Sequence, residues 1–376
     1  MVVLLLHNRY RTTGGEERAV AEIAALLRRR GHAVEVLERS SAYLGRAKAA
    51  AGLLAGGLDP DAVGRAVRQM GAEVVHAHNV HPTLGWRALA AAQDAGARTL
   101  LHLHNFRLFC AIGVAYRDGA PCFRCRGAGT LPGVRLRCRG SLPEAVVYAA
   151  ALRRQQPRLY EHVDQFVAVS EATARRLRDL GLPASLTATL PNFMPKDAFV
   201  AESHAGAGEF ALAAGRLTEE KGFDTAIAAA RTAGVPLVIA GAGPDEARLR
   251  DLAAGADVRF TGLLPPEGLA DLRARAAVAL APSRWEEPCP YSVLEALAAG
   301  VPVLAADRGG LPELVGEDAT LPATDQNAWS DSLKELWKSP DLRAERGTAA
   351  LTRARERFGE DRFYDGLTAL YRADSS

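Results

Sequence analysis

At 376 residues the chain exceeds what one ordinary hydrophobic core organises, so two domains are expected. With 48% hydrophobic and 24% charged residues and a formal net charge of +2, it reads as a globular protein, and nothing in that balance calls for general nucleic-acid binding. No apolar run is long enough for a membrane-spanning helix, and the N-terminus lacks a basic stretch leading into an apolar region and cleavage site. A cytoplasmic enzyme is therefore the expectation, with any membrane contact peripheral and at the inner face.

The run VVLLLH at 2–7 reads as a buried parallel strand, and after NRYRTTGG a helical pattern, EERAVAEIAALLRRRG, begins at Glu16. Gly14 and Gly15 would let that loop's backbone approach a ligand closely, although a tight turn explains a glycine pair equally well. Glu16 and Glu17 suit the first turn of a helix. Further strands are expected at 32–38, 72–78, 97–104 and 165–170, with helices between them. Such alternation predicts a parallel sheet covered on both faces, with function at the carboxyl ends of its strands. His78 and His104 stand at two of those ends, each followed by an asparagine, Asn79 and Asn105. The repetition points to a shared site. DPD at 59–61 has a metal-binding spacing, but Asp59 reads more simply as an N-cap with Pro60 at the first helical position.

Residues 110–138 interrupt the alternation with glycine and arginine. Cys110, Cys122, Cys125 and Cys138 fall there as C-x11-C-x2-C-x12-C. Four thiolates can close a tetrahedral zinc site, and a C-x-x-C pair is the usual half of one. Redox or iron–sulfur chemistry and plain free thiols are the other readings. Cys289 stands alone, so a disulfide framework is not expected. Arg117, Arg124, Arg126, Arg135, Arg137 and Arg139 surround the cysteines. They could meet an anionic acceptor, a membrane surface or nucleic acid, a solvated loop being the plainest reading.

TATLPNFMP at 187–195 reads as a last short strand, and KDAFVAESHAGAGE as a linker, before a new strand opens at Phe210. The alternation then repeats, with strands at 210–217, 235–243, 257–262, 276–283, 300–307 and 319–324. GAGPDE begins like a dinucleotide fingerprint but has Glu246 where the third glycine belongs, which argues against a dehydrogenase. Residues 341–373 read as helical and amphipathic, able to cross back to the first domain.

PSRWEEPCPYSVLEALAA at 282–299 places Glu287 and Glu295 eight residues apart, across a helix start near Pro290 or Tyr291. A helix start offers unpaired amides and a positive dipole end to a phosphate, while carboxylates suit sugar hydroxyls. In AGRLTEEKGFD, Arg216 and Lys221 lie between a strand end and a helix start near Gly222, within reach of a diphosphate.

Taken together, GRLTEEKG, GAGP, FTGLLP, LAPSRWEEPCPYSVLEALAAGVPVLAADRGGLPELV and the N-terminal GG loop resemble the retaining glycosyltransferases of family 4. Those enzymes have the α/β GT-B fold, two doubly wound Rossmann-like domains facing each other across a cleft. The first half matches more loosely, through GGEER, VVHAHN and LLHLHNFRL, and its cysteine-bearing insertion looks like one found in a bacterial subset of the family. The resemblance implies an acceptor-binding domain over 1–190 with its insertion at 106–141, a nucleotide-sugar-binding domain over 191–355, and a helix over 356–376 that crosses back.

By position, the resemblance implies that Glu287 contacts the donor sugar, that Glu295 contacts the ribose, and that Arg216 and Lys221 stabilise the leaving diphosphate. Gly14 and Gly15 would approach the same diphosphate, Gly262 and Leu263 would flank the base, and His104 would lie near the reacting sugar. His78, Asn79 and Asn105 join His104 on the acceptor side. Many relatives have Phe-Gly where Cys289 and Pro290 stand here, so Tyr291 and Ser292 would have to supply the nearby amides. No catalytic metal is expected if Arg216, Lys221 and the helix end neutralise the diphosphate; a structural zinc at the four cysteines is compatible with that.

The implied reaction moves a hexose or pentose from a nucleotide-diphosphate donor to an acceptor hydroxyl with retention at the anomeric carbon, in secondary-metabolite, exopolysaccharide or cell-surface glycan synthesis. Two other readings stand beside it. One is a different GT-B activity, such as a nucleotide-sugar epimerase or a phosphorylase. The other is an arginine-rich zinc module that binds nucleic acid beside an inactive transferase body. The sequence does not speak to donor identity, acceptor identity or oligomeric state.

Overall fold

The computed structural model describes residues 1–9, 14–40 and 44–373. The chain divides into two compact units. The first comprises Met1–Ala115, Cys122–Pro191 and Phe363–Ser376, and the second Tyr116–Pro121 and Asn192–Arg362.

In the first unit the apolar runs become β1 (Val2–Arg9), β2 (Ala33–Ser40), β3 (Val74–Ala77) and β4 (Arg98–Leu103). The hairpin β5 (Tyr116–Arg117) and β6 (Ala120–Pro121), assigned to the second unit, comes next in sequence. β7 (Gln165–Ala168) and β8 (Thr187–Thr189) complete the first sheet. Its order is β2-β1-β3-β4-β7-β8, and every pairing is parallel. Leu4, Leu5 and Leu6 are all buried because helices cover both faces, which is why β1 reads as an unbroken apolar run. One of those helices, Gly15–Arg29, buries Val20, Ile23, Ala24 and Leu27, the three-and-four spacing of an apolar stripe. Each leucine or isoleucine taken fully from water contributes about 1.5–3 kcal/mol before the entropy cost is counted.

The second unit repeats the scheme with β9 (Phe210–Ala214), β10 (Leu237–Ala240), β11 (Val258–Gly262), β12 (Ala276–Ala281), β13 (Val303–Ala306) and β14 (Thr320–Leu321). Their order is β11-β10-β9-β12-β13-β14, again all parallel. In both sheets the strand order reverses once, between β1 and β3 and between β9 and β12. Ligands of doubly wound sheets bind outside the carboxyl ends at such switch points.

One local expectation needs correction, and two features gain detail. Asp59 is not an N-cap: it has a φ of 42°, Pro60 caps the helix Asp61–Met70, and the Asp59 carboxylate lies 3.7 Å from Arg65. The helical stretch expected at 341–373 is two helices, Pro340–Phe358 and Glu360–Arg372, separated at Gly359, whose extended backbone bridges to Met194. The insertion carries a hairpin that the sequence reading passed over, turned by Asp118 and Gly119 at positive φ, the Asp-Gly pairing that suits a two-residue hairpin loop. Among the described residues no helix is long and apolar enough to cross a membrane.

Candidate functional site

The second unit gathers its charged side chains at the switch point between β9 and β12. Leaving β9, the chain passes Arg216 and turns through the short 3-10 segment Glu219–Lys221 into the helix Phe223–Ala233. Gly222 makes that turn possible. Its φ is 68°, and a Cβ there would lie 2.1 Å from the Pro282 carbonyl oxygen, so only glycine lets Lys221 come this close to the end of β12. The Lys221 ammonium donates to one oxygen of Glu287, and the Ser283 hydroxyl donates to the other. Glu287 is 4% exposed, so a nearly dry carboxylate is held by one cation and one hydroxyl. Its backbone is fixed from the far side by the Gly310 amide, which donates to the Glu287 carbonyl at 2.7 Å.

The helix expected near Pro290 is Tyr291–Ala298, capped by Pro290. The Val293 and Leu294 amides already donate to the Pro290 carbonyl. Ser292, just before them, lines a recess together with Lys221, Arg273, Ser283, Glu287 and Pro290. Glu295 is not turned to Lys221: its carboxylate accepts from Arg273, on the helix Pro266–Ala274. The two glutamates thus carry separate cations instead of meeting at one point. Arg216 is more than half exposed, 3.8 Å from Glu220, and outside the recess lining. Gly262 ends β11 with a φ of 70°, and Leu263 beside it is 81% exposed, a large apolar side chain left in solvent. Arg273 and Ser283 were missed by sequence reading. Ser283 had a signal, four residues before Glu287 in the same motif; Arg273 arrives from another element and had none.

In the first unit, His78 and His104 do meet. Their ring nitrogens lie 3.0 Å apart, Nδ1 of His78 to Nε2 of His104, and the rings stack at 5.2 Å. Burial, then neighbouring imidazoles, push both well below the usual histidine range, so each is neutral at ordinary pH. Both line a second recess, with Glu16, His102, Asn105 and Arg107. The asparagines are spent on architecture. Buried Asn79 donates to the Asn8 carbonyl at 2.6 Å and accepts from the His81 amide, while Asn105 accepts from the Arg107 amide at 2.8 Å and donates to Glu16. The Gly14 amide donates to the Glu17 carboxylate at 2.8 Å, closing the start of its helix, and Gly15 is the first residue of that helix. Arg11, Thr12 and Thr13 of the same loop lie outside the described residues.

The four insertion cysteines are free and half-buried. Burial pushes the Cys125 thiol up to about 11, and Cys110, Cys138 and Cys122 all lie close enough to act on it electrostatically. The Cys110 sulfur accepts from the amides of Ile112, Gly113 and Ala115, contacts that favour a thiolate against its burial. Among the described residues, however, no three of these sulfurs come within 4.8 Å of one another, whereas ring nitrogens of His76, His78 and His102 do.

Two parallel α/β units, each with acidic, basic or imidazole side chains at a switch point, define a GT-B fold of two Rossmann-like domains. Residues 14–192 match the family described as Glycosyl transferase 4-like domain, and residues 196–353 the family described as Glycosyl transferases group 1. The chain therefore carries a glycosyltransferase 4-like domain followed by a group 1 glycosyltransferase domain. It is 36% identical over 139 residues to a D-inositol 3-phosphate glycosyltransferase of Saccharomonospora viridis, covering 35% of this chain and 32% of that one. The match thus spans about a third of that relative's own length. Among solved structures, a sucrose-phosphate synthase of Thermosynechococcus elongatus superposes with a TM-score of 0.73 at 18% identity, over 99% of this chain and 98% of that one. HepE of Anabaena in complex with UDP-glucose gives 0.65 at 18% identity, over 98% and 100%.

Proposed function

We propose that the protein is a retaining glycosyltransferase that moves a hexosyl or pentosyl group from a nucleotide-diphosphate donor to an acceptor hydroxyl. The observation that carries the reading is the Lys221–Glu287–Ser283 array beside a helix start at the β9/β12 switch point. A diphosphate arriving there competes for the Lys221 ammonium. Drawing that cation away leaves Glu287 buried with free lone pairs, which donor-sugar hydroxyls satisfy. Lys221, Arg216 and the amide of Ser292 then face the charge that develops on the leaving diphosphate, so no catalytic metal is required. The ribose hydroxyls fall to Glu295, with Arg273 holding its carboxylate in place.

The matched families, the glycosyltransferase name of the relative and the UDP-glucose complex of a fold neighbour support a nucleotide-sugar donor. On the acceptor side we assign His104, held through its Nε2 by His78. Exopolysaccharide, cell-surface glycan and secondary-metabolite acceptors all fit that assignment. The four cysteines are assigned a structural zinc on the strength of their spacing, and binding must draw them together, since no three of their sulfurs lie within 4.8 Å of one another. Leu131, Leu142 and Val146 are exposed apolar side chains flanking the arginines of the insertion, which favours an acceptor presented at a membrane surface.

The deciding experiment incubates the protein with UDP-, GDP- and ADP-sugars, with and without candidate acceptors, and follows the products by NMR. A glycoside whose anomeric configuration matches the donor's, formed only when acceptor is present, is the expected result. An inverted product removes retention. A changed sugar without acceptor means epimerase chemistry, and absence of turnover with every donor defeats the transferase reading.

A further inference from the structure

The first sheet builds a column of imidazoles. In its register His76 opposes Leu100 on β4 and Leu5 on β1, and carrying the same register two residues on sets His78 opposite both His102 and His7. Side chains two apart on a strand share a face, so His76 and His78, with His102 and His104, stand on one side of two adjacent strands. The rings of His76 and His78 lie 4.4 Å apart, those of His76 and His102 5.4 Å, and those of His78 and His102 5.3 Å. All three residues are at most 3% exposed.

The hydrogen bonding of these rings is lopsided. His76 Nδ1 lies 2.8 Å from the Tyr371 hydroxyl, and His78 Nδ1 is paired with His104, yet Nε2 of both rings has no partner. The His102 ring has no side-chain partner, and its backbone contact is with Leu190. Buried polar atoms left without a partner are costly, and the rings that carry them are packed against one another here. One ligand nitrogen from each lies within 4.8 Å of the others.

We propose that His76, His78 and His102 form a binding site for a borderline divalent cation, of the class of Zn²⁺ or Co²⁺, separate from the four cysteines. An ion at the centre of such a triangle would need each nitrogen to move inward by under about 1 Å to reach the usual 2.0–2.1 Å bond, and the rings, now 15°, 25° and 33° from parallel, to tilt so that a lone pair of each faces it. Burial keeps the imidazoles neutral, the state a ligand requires. The outer ring nitrogens already have the kind of partners that orient a metal-bound histidine: Tyr371 for His76 and His104 for His78. His78 and His102 also line the recess described above, which gives an ion a route in and leaves its remaining coordination position on that side. Occupancy would have a chemical consequence. With the ion on His78 Nε2, the proton of that ring is confined to Nδ1 and donated to His104 Nε2, so His104 must carry its own proton on Nδ1. The cation would thus fix the tautomer of the residue assigned to the acceptor side.

The test uses the full chain carrying Cys122→Ser and Cys125→Ser, titrated with Co²⁺ after chelation and followed by visible absorption, equilibrium dialysis and thermal unfolding. One equivalent bound, with ligand-field bands but no sulfur-to-metal charge transfer and a raised Tm, is expected. Adding His102→Gln should weaken binding more than about 100-fold, and Tyr371→Phe, which removes one hydroxyl from a ring's partner, about 10–100-fold. Absence of cobalt binding in the cysteine variant overturns the proposal. So does binding that Tyr371→Phe and His102→Gln both leave unchanged. Should His102→Gln fail to fold, the Tyr371→Phe affinity decides.

Discussion

Breaking the Lys221–Glu287 pair from one side should cost more than breaking it from both. The two side chains are 17% and 6% exposed, so neither charge can be handed back to bulk water when its partner is removed. Lys221→Met leaves Glu287 with only the Ser283 hydroxyl, and Glu287→Gln leaves an ammonium facing a neutral amide. Removing one member of a buried pair typically costs about 3–5 kcal/mol, because the survivor's desolvation is no longer offset. At about 2–4 °C of Tm per kcal/mol for a unit of this size, either single variant should lose roughly 6–20 °C. The double variant keeps similar volume and buries no charge. It should therefore fall short of the summed losses by at least about 2 kcal/mol. Urea unfolding of the four proteins measures this coupling, and additivity within about 0.5 kcal/mol refutes the reasoning. Activity should not follow stability. Each single variant should lose at least about 100-fold in kcat/KM, equivalent to about 2.7 kcal/mol of transition-state stabilisation, and the double variant should stay inactive although its stability returns. A stable and active double variant would mean that the pair is only a strut.

Burial, with Arg107 adding to it, lowers buried His81 to about 4, against 6.5 for a free histidine. Below pH 6.5 the unfolded chain takes up a proton there that the folded protein refuses. The His81 contribution to stability is therefore full above that pH and declines by about 1.4 kcal/mol per pH unit down to about pH 4, in addition to the losses from buried His76, His78, His102 and His104, which are lowered too. Urea titrations between pH 7 and 4.5 should show this slope flatten in His81→Leu, and an unchanged slope would count against the burial argument. Gly222→Ala should push the Lys221 turn off Pro282 and cut donor affinity together with stability, checked by calorimetric titration with UDP and by Tm; wild-type values for both would show that the close approach is dispensable. Elemental analysis should find one more zinc per chain in the wild type than in the Cys122→Ser/Cys125→Ser protein, and equal contents would remove the thiolate site.

Most of the twelve strands of the two sheets were legible as short apolar runs, the pattern a parallel sheet buried on both faces requires; β2, an edge strand carrying Glu35, Glu38 and Arg39 and nowhere fully buried, departs from it. The helix start at Pro290 was legible for a similar local reason, a proline ahead of an apolar period. What stayed hidden depends on elements distant in sequence. Glu287 and Glu295 are conspicuous as a pair, yet their partners come from a 3-10 turn 66 residues away in one case and a helix 22 residues away in the other. Asn79 and Asn105 resemble ligand groups in a one-dimensional reading, because burial against Asn8 and Glu16 leaves no mark on the string. The histidine column is an intermediate case. H-x-H occurs on two strands, but only the register brings the two copies side by side.

The helix Glu360–Arg372 returns the end of the chain to the first unit, with Tyr364 against His32, the Leu370 carbonyl on Arg98 and Tyr371 on His76. A ribosome that has released residues 1–191 has made every strand of the first sheet, yet the hydroxyl that orients His76 is still 180 codons from synthesis. The half that is made first is thus finished last. During that interval the apolar patch later covered by Phe363, Leu367 and Tyr371 stays open to solvent and to chaperones, and a nascent chain stalled anywhere in the second unit would display it.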